Sequence, residues 1–193
     1  MGEKTQQLIL DAAFAEFAHN GFQKTSLKDI AALAGVSRPT VYSFFKNKDQ
    51  IFRSVAVNIH ENGLRDACAF LQDPSSADVT DAISKALYAR HGWFLSLVIE
   101  TKGGAEMEDE HGRLCGDVVV RTQKTFNEQL ARYINTAEAA KRICLSNQGL
   151  SAEQVVSLLN LSVIGCKRGC TSSAEYKERI VHVVTLFFGG LIV

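Results

Sequence analysis

Apolar residues recur along this chain every three or four positions, which is the spacing of one face of an α-helix. Leu27, Ile30, Ala31 and Ala34 form one such stripe. The strict alternation of apolar and polar residues that predicts β-strands is not seen, and proline occurs only twice in 193 residues. Because proline breaks helix interiors, the sequence predicts an all-α fold.

Capping and turn residues divide this pattern into separate helices. Ser26 and Ser37 are predicted to cap the second and third helices, since a serine hydroxyl accepts a hydrogen bond from an N–H of the first turn. Asn47 is expected to begin the fourth helix, and a turn over residues 72–76 to end it. The predicted helices cover approximately residues 3–19, 27–34, 38–45, 48–71, 79–100, 115–136, 152–167 and 173–188, with a break at residues 102–104 and a short acidic piece at residues 107–111.

The composition is that of a globular protein, with 46% apolar and 22% charged residues, and it excludes disordered and fibrous chains. No apolar run reaches the length of about 18 residues that a membrane span needs, and the polar N-terminus lacks the layout of a signal peptide. We therefore expect a cytoplasmic protein with no membrane partner and with its five cysteines reduced. The sequence contains none of the common nucleotide-binding, serine-hydrolase or zinc-protease motifs, so we expect neither an enzyme nor a cofactor.

Charge is concentrated near the N-terminus, although the whole chain is formally neutral. Residues 22–53 hold six basic and two acidic side chains, which gives this segment a net charge of +4. A compact basic segment of this kind favours a polyanionic partner such as nucleic acid.

The second and third predicted helices, joined by a short turn at residues 35–37, have the proportions of a helix-turn-helix motif. In that motif the second helix enters the major groove of DNA and reads base edges with its first residues. Arg38 lies in this position and can donate two hydrogen bonds to a guanine. The side chains expected to reach phosphates are those of Thr25, Ser26, Tyr42, Ser43, Lys46 and Lys48.

A dense pattern over residues 8–52 resembles the DNA-binding domain of the TetR (tetracycline-repressor-like) transcriptional regulators. The residues that carry it are Ile9-Leu-Asp-Ala-Ala13, Phe17, Asn20-Gly21-Phe22, Thr25-Ser26, Asp29-Ile30-Ala31, Ala34-Gly35-Val36-Ser37 and the run from Thr40 to Lys48.

The resemblance implies a role for many of these side chains. Arg38, Pro39, Thr40 and Phe44 would face the groove, although Phe44 departs from the polar residue often found there. Tyr42, Lys48 and Thr25 would hold the phosphate backbone. Ala31, Val41, Phe45 and Ile51 would form the small core. The full predicted DNA-binding set is Thr25, Ser26, Ser37, Arg38, Pro39, Thr40, Tyr42, Ser43, Phe44, Lys46 and Lys48.

The rest of the chain also fits the organisation that the resemblance implies. A helix-turn-helix domain over residues 1–55 would share the fourth helix with a helical domain over residues 56–193 that binds an effector and dimerises. A two-fold dimer presents two reading helices, so the operator on double-stranded DNA would be palindromic. The apolar last two helices would pair as a four-helix bundle through Leu158, Leu159, Val163, Ile164, Ile180, Val183, Val184, Phe187 and Phe188.

The middle helices would enclose a pocket for a small-molecule effector. The predicted lining residues are Tyr88, His91, Trp93, Phe94, Leu97, Leu114, Val118, Arg121 and Phe126, although ordinary core packing is an alternative interpretation of each. The predicted function is a ligand-responsive repressor that leaves its operator when the effector binds, with helix 4 carrying the motion. The alternative is a DNA-binding regulator that responds to cysteine oxidation or to a protein partner.

Two clusters allow sharper hypotheses. Cys166 and Cys170, four residues apart, suggest a redox pair or a soft-metal site, but the flanking glycines favour close helix packing instead. The acidic residues between Glu106 and Glu110, followed by His111, could bind a metal. A solvated acidic helix face is the preferred interpretation.

Overall fold

The computed structural model describes residues 2–72, 78–145 and 149–189. Within these ranges the chain forms helices and turns, as the sequence predicts. The helices are α1 (Gly2–Asn20), α2 (Leu27–Leu33), α3 (Arg38–Phe44), α4 (Lys48–Ala69), α5 (Val79–Glu100), α6 (Gly104–Leu114), α7 (Gly116–Ala139), α8 (Ala152–Cys166) and α9 (Ser173–Phe188). Of the turn predicted over residues 72–76, all but Gln72 lies outside the described residues.

The predicted helix caps are confirmed. The Ser26 hydroxyl accepts a hydrogen bond from the Asp29 N–H, and the Asp29 carboxylate accepts one from the Ser26 N–H, which completes a capping box. Ser37 caps α3 through the N–H of Thr40. Ser151 and Ser172 cap α8 and α9 in the same way.

Two glycines end helices in the left-handed conformation. Gly21, after α1, has a φ of 81°, and Gly35, after α2, has a φ of 67°. Residues with a side chain rarely adopt this conformation. Both glycines therefore set where the chain turns into and out of α2.

Helix α6 (Gly104–Leu114) lies where the sequence pattern predicted no helix, only a short acidic piece at residues 107–111. The Gly103–Gly104 pair was interpreted as a break. In the structure the Gly103 N–H donates to the Ala18 carbonyl at 2.9 Å, so the chain is fixed against α1 and the next helix starts immediately.

The chain divides into two compact units. Unit 1 comprises residues 1–60 and 97–119, and unit 2 comprises residues 61–96 and 120–193. The predicted DNA-binding domain lies within unit 1, which also contains α6. The predicted division at residue 55 stays a prediction about function.

The core of unit 1 is built around three phenylalanines. Phe17, Phe22 and Phe52 lie with ring centroids 5.4–5.5 Å apart, and all three are buried. Around them the residues predicted as core are buried as well, namely Ala31, Val41, Phe45 and Ile51.

The core of unit 2 follows helical spacing. On α9 every fourth residue is fully buried, from Tyr176 through Ile180 and Val184 to Phe188. On α7 the same spacing buries Phe126, Leu130 and Ile134. None of the helices in the described ranges is both long and apolar enough to cross a membrane.

Candidate nucleic-acid interface

Helix α3 separates a packed face from an exposed one. Val41 is fully buried and Phe45, at the end of the helix, is 2% exposed, so these two side chains fix α3 on the rest of unit 1. Arg38, Pro39, Tyr42 and Ser43 are exposed, and Thr40 and Phe44 are half-buried. The predicted reading residues are therefore on the outer side of a short, anchored helix.

Arg38 and Tyr42 interact one helical turn apart. The Arg38 guanidinium donates a hydrogen bond to the Tyr42 hydroxyl at 3.2 Å and lies 5.5 Å from the centre of the ring. Stacking on an aromatic face restricts the rotamers of a flexible arginine. The guanidinium is thus held at the exposed start of α3.

Hydroxyl groups near α3 and α2 serve as caps. The Ser37 and Thr40 hydroxyls are 2.8 Å apart, and the Ser43 hydroxyl donates to the Thr40 carbonyl at 2.7 Å. Hydrogen bonds from Ser26 lower the pKa of the Asp29 carboxyl. The exposed N-termini of both helices keep backbone N–H groups at the surface, where anions bind readily.

Thr25 and Lys48 have inward-directed polar groups, unlike the phosphate-facing placement that the resemblance implies. Thr25 is buried, and its hydroxyl donates to the carbonyl of Gly21 at 2.8 Å. The Lys48 ammonium, at the start of α4, donates to the carbonyls of Phe22, Gln23 and Thr25. Both groups are engaged with the loop between α1 and α2. Lys46, by contrast, is exposed.

Helix α6 supports the same loop from another direction. The Gln23 N–H donates to the Glu106 carboxylate at 3.0 Å, and the Gln23 side chain donates to Glu110 at 3.3 Å. Arg113 in turn bridges Glu110 and Asp49. Glu106 and Glu110 of α6 thus bind the loop, and Arg113 joins α6 to α4. No cluster able to hold a metal ion is found among the described residues.

Polar contacts from Arg53 and His60 join helix α4 to α6 and to the start of α7. Arg53 donates to the Leu114 carbonyl and to Asp117. Farther along, the Nε2 atoms of His60 and His111 lie 2.7 Å apart. These contacts all lie within unit 1.

The predicted pocket residues fall in both units, with Leu97, Leu114 and Val118 in unit 1 and the other six in unit 2. In unit 2, His91 is buried edge-on against Phe126, with 6.2 Å between ring centroids. The ring centroids of Trp93 and Phe94 lie 5.2 Å apart. Arg121, predicted to line the pocket, is exposed and pairs with Glu61 at 2.9 Å.

Arg90 is a buried polar residue that the sequence reasoning missed. It is 3% exposed, and its guanidinium donates to the Thr122 hydroxyl at 3.0 Å. Burial lowers the pKa of Arg90 to about 10. A signal was present, because Arg90 follows Ile83 and Leu87 at helical spacing and so occupies an inward position.

A cavity of about 810 Å³ lies in the groove between α7 and α8. Its walls include Arg132, Leu161 and Ile164, and none of the predicted pocket residues contributes to it. Its floor is a network of amides, in which Asn160 donates to Asn127 at 2.9 Å.

The nine predicted interface residues divide into two groups. Leu159, Val163, Ile180, Val184 and Phe188 are buried and belong to the core of unit 2 itself. Leu158 and Ile164 are exposed, and Val183 and Phe187 are half-buried. The apolar side chains exposed on α8 and α9 are Leu158, Leu161, Ile164, Val181 and Leu186.

Cys166 and Cys170 lie where α8 ends. The Cys170 thiol donates to the Cys166 carbonyl at 3.0 Å. Burial raises the pKa of the Cys170 thiol. A raised pKa lowers the fraction of thiolate, the form that reacts with oxidants.

Comparison with known proteins matches one segment of unit 1 to a family. The model of "Bacterial regulatory proteins, tetR family" matches residues 9–55. A protein of Escherichia coli K12 named "Probable acrEF/envCD operon repressor" is 44% identical over 52 residues, which is 27% of this chain and 24% of that protein. The HTH-type transcriptional repressor LfrR of Mycolicibacterium smegmatis is 34% identical over 85 residues, which is 44% of this chain and 43% of LfrR.

The likeness of fold extends over the whole chain. SmeT, described as the repressor of the Stenotrophomonas maltophilia multidrug efflux pump SmeDEF, is similar with a TM-score of 0.68 and 19% identity, covering 97% of this chain and 90% of SmeT. A SmeT–triclosan complex is similar with a TM-score of 0.64, covering 98% and 92% of the two chains.

Sequence similarity to the curated relatives is confined to less than half of their length. The family model covers the helix-turn-helix segment whose packed and exposed faces are described above. Residues 9–55 thus match the tetR family of bacterial regulatory proteins, and the fold of the whole chain is similar to that of the solved structures above.

Proposed function

We propose that this protein is a DNA-binding transcriptional regulator, a repressor that binds a palindromic operator as a homodimer and is released by a small molecule. The observation that carries the proposal is the exposed face of α3, where Arg38 is stacked on Tyr42 while Val41 anchors the helix from behind. This arrangement presents a rigid bidentate donor, the group that most often reads guanine in the major groove.

The contacts to DNA divide by chemistry. Ser37, Arg38, Pro39, Thr40 and Phe44 would lie along the base edges, and Phe44 can contact a thymine methyl group. Ser26, Tyr42, Ser43 and Lys46 would contact phosphates, which position the protein without reading sequence.

Dimerisation would use the exposed apolar side chains of α8 and α9. Leu161 is 66% exposed and Leu186 is 82% exposed, and apolar surface of this kind is typical of a protein interface. Because the last two helices form an apolar surface of their own, a second copy could cover it and double the number of reading helices.

The effector would bind in unit 2, near the aromatic side chains of Tyr88, His91, Trp93, Phe94 and Phe126. Arg90 and Thr122 add buried polar groups to the same unit. A ligand changes DNA affinity only if it prefers one conformer of the protein. SmeT, which has a similar fold, forms a complex with triclosan, so triclosan is the first probe to try.

Selection of bound duplexes from a random pool tests DNA binding. We expect an enriched palindrome, with half-sites separated by about one helical turn or a multiple of it. A protein that enriches no sequence at low salt and stays a single chain would contradict the proposal.

Release of the selected duplex by triclosan, compared with release by hydrogen peroxide, then separates an effector from thiol oxidation, with a variant lacking all five cysteines as the control.

A further inference from the structure

The Lys48 side chain occupies the inside of the loop between α1 and α2, here called the α1–α2 loop (residues 21–26). Resting on the proposed DNA-binding function, we propose that Lys48 is a positioning residue, which holds this loop and the start of α2 in the shape that DNA binding requires and does not itself bind phosphate. It would act on DNA through the backbone that it fixes.

The donors of Lys48 are fully used by the loop. An ammonium group has three N–H donors and no acceptor. The Lys48 Nζ atom lies 2.6 Å from the Phe22 carbonyl oxygen, 3.2 Å from that of Gln23 and 3.0 Å from that of Thr25. A phosphate could gain a hydrogen bond from Lys48 only if one of these carbonyls lost its own.

Contact with an aromatic ring adds to this placement. The Nζ atom lies 4.4 Å from the centre of the Phe22 ring, within the range of a cation–π interaction. Phe22 itself is buried against Phe17 and Phe52. The ammonium is therefore held by groups that belong to the core of unit 1, and the half-buried Lys48 side chain has little freedom to turn outward.

The loop needs a cation at this point because its carbonyl oxygens converge. Three backbone carbonyls directed at one position repel each other unless a positive group lies between them. The last of them belongs to Thr25, which immediately precedes Ser26, the N-cap of α2. Removing the ammonium would loosen the backbone that sets the orientation of this cap.

Lys46 provides a matched control two residues away. It is exposed, and we assign it a phosphate contact. A lysine that neutralises a phosphate releases a counterion, so its loss lowers the dependence of log affinity on log salt concentration by about one unit. A lysine that only positions the backbone lowers the affinity and leaves the salt dependence unchanged.

The experiment compares Lys48→Met with Lys46→Met in the full-length protein. Affinity for the duplex selected from the random pool is measured by fluorescence anisotropy over a series of salt concentrations. Hydrogen exchange of the amides at residues 22–30 is measured without DNA. For Lys48→Met we expect an affinity about tenfold lower at every salt concentration, the equivalent of one hydrogen bond to a charged group, an unchanged salt slope and faster exchange. For Lys46→Met we expect a reduced slope and unchanged exchange.

The opposite result for Lys48→Met, a slope reduced by about one unit with unchanged exchange, would overturn the positioning role. If the unmodified protein binds no duplex, the proposed function fails. The exchange measurement still decides whether Lys48 holds the loop, so the two failures are distinguishable.

Discussion

Arg53 on α4 binds Asp117 at the start of α7 with both terminal nitrogens of its guanidinium, Nη1 to Oδ1 at 2.7 Å and Nη2 to Oδ2 at 2.5 Å. The same Nη1 also donates to the Leu114 carbonyl at the end of α6. One arginine thus joins α4, the end of α6 and the start of α7 within unit 1, although the Asp117 carboxylate is largely exposed. Paired and parallel hydrogen bonds of this kind are stronger than a single contact between the same charges.

The Arg53–Asp117 pair makes part of the stability depend on pH. Hydrogen bonds from Arg53 lower the pKa of Asp117 from 3.8 to about 2. A carboxyl whose pKa is lowered in the folded protein stabilises the folded state at pH values above its ordinary pKa. This stabilisation is lost as the pH falls through the lowered pKa. Asp117→Asn should therefore lower the free energy of unfolding at pH 7, and its deficit relative to the unmodified protein should shrink between pH 3.8 and about 2.

Urea unfolding at a series of pH values measures this difference. Asp109→Asn, at an exposed position of α6, is the control and should change the free energy of unfolding at pH 7 much less than Asp117→Asn does. A deficit for Asp117→Asn that stays constant down to the lowest pH would contradict the assigned role.

Gly103 has no room for a side chain. A Cβ atom there would lie 2.1 Å from the Phe17 carbonyl oxygen and 2.8 Å from the Gly21 Cα atom, so the backbone would have to move. We expect Gly103→Ala to lower the free energy of unfolding by about 1–3 kcal/mol, as overpacking generally does. Gly112→Ala is the matched control on α6, since a Cβ atom there meets nothing within 4 Å. It should stabilise the helix by about 0.5–1 kcal/mol. Equal effects of the two substitutions in urea unfolding would be inconsistent with this packing.

Tyr176 joins α9 to α8 by a buried hydrogen bond. Its hydroxyl donates to the Val163 carbonyl at 3.1 Å, and burial raises the pKa of this phenol well above its ordinary value. Tyr176→Phe keeps the ring and should lower the free energy of unfolding by about 1 kcal/mol or somewhat more, because the buried carbonyl loses its partner. Tyr88→Phe, at a half-buried tyrosine of unit 2, should change stability much less. Thermal unfolding of the two variants compares them directly.

Arg38 tests base reading. Arg38→Ala should lower affinity for the selected duplex by about 1–3 kcal/mol and relax the preference at one base pair. Tyr42→Phe keeps the ring under the guanidinium while removing the hydroxyl that Arg38 contacts, so it should retain that preference. Binding to variant duplexes with single base changes measures both effects. Equal losses on selected and random DNA for Arg38→Ala would show that it contacts phosphate only.

Leu161 and Leu186 test the proposed dimer. Replacing each with Glu places a charge on an exposed position of α8 and of α9, so the monomer should stay folded while the dimer dissociates. Sedimentation equilibrium measures the mass, and circular dichroism confirms the helices. Val120→Glu, at an α7 position that is 70% exposed, is the control and should leave the dimer intact. A double variant that remains dimeric would move the interface elsewhere.

Local features of the fold were predictable because they depend on adjacent residues. Ser26, Ser37, Ser151 and Ser172 mark their helices since each bonds a backbone N–H three positions away. The burial of Val41 and Phe45 agrees with what the family resemblance implies.

Other features depend on contacts between distant segments, which no local pattern encodes. Lys48 reaches carbonyls 23 to 26 residues away, and Arg121 meets Glu61 across 60 residues. The apolar stripes on α8 and α9 were interpreted as a dimer interface that includes Leu159 and Ile180. Periodicity alone does not tell whether such a stripe is buried within one chain or between two, and here both residues lie in the core of unit 2.

The division of α3 into an anchored and an exposed face has an evolutionary consequence. Val41 and Phe45 carry the packing, while Arg38, Tyr42 and Ser43 contribute little to it. Mutations at the outer positions could therefore accumulate in a duplicated gene without unfolding its product. A few substitutions among the seven residues of α3 would then change the binding specificity, while the core packing stays the same.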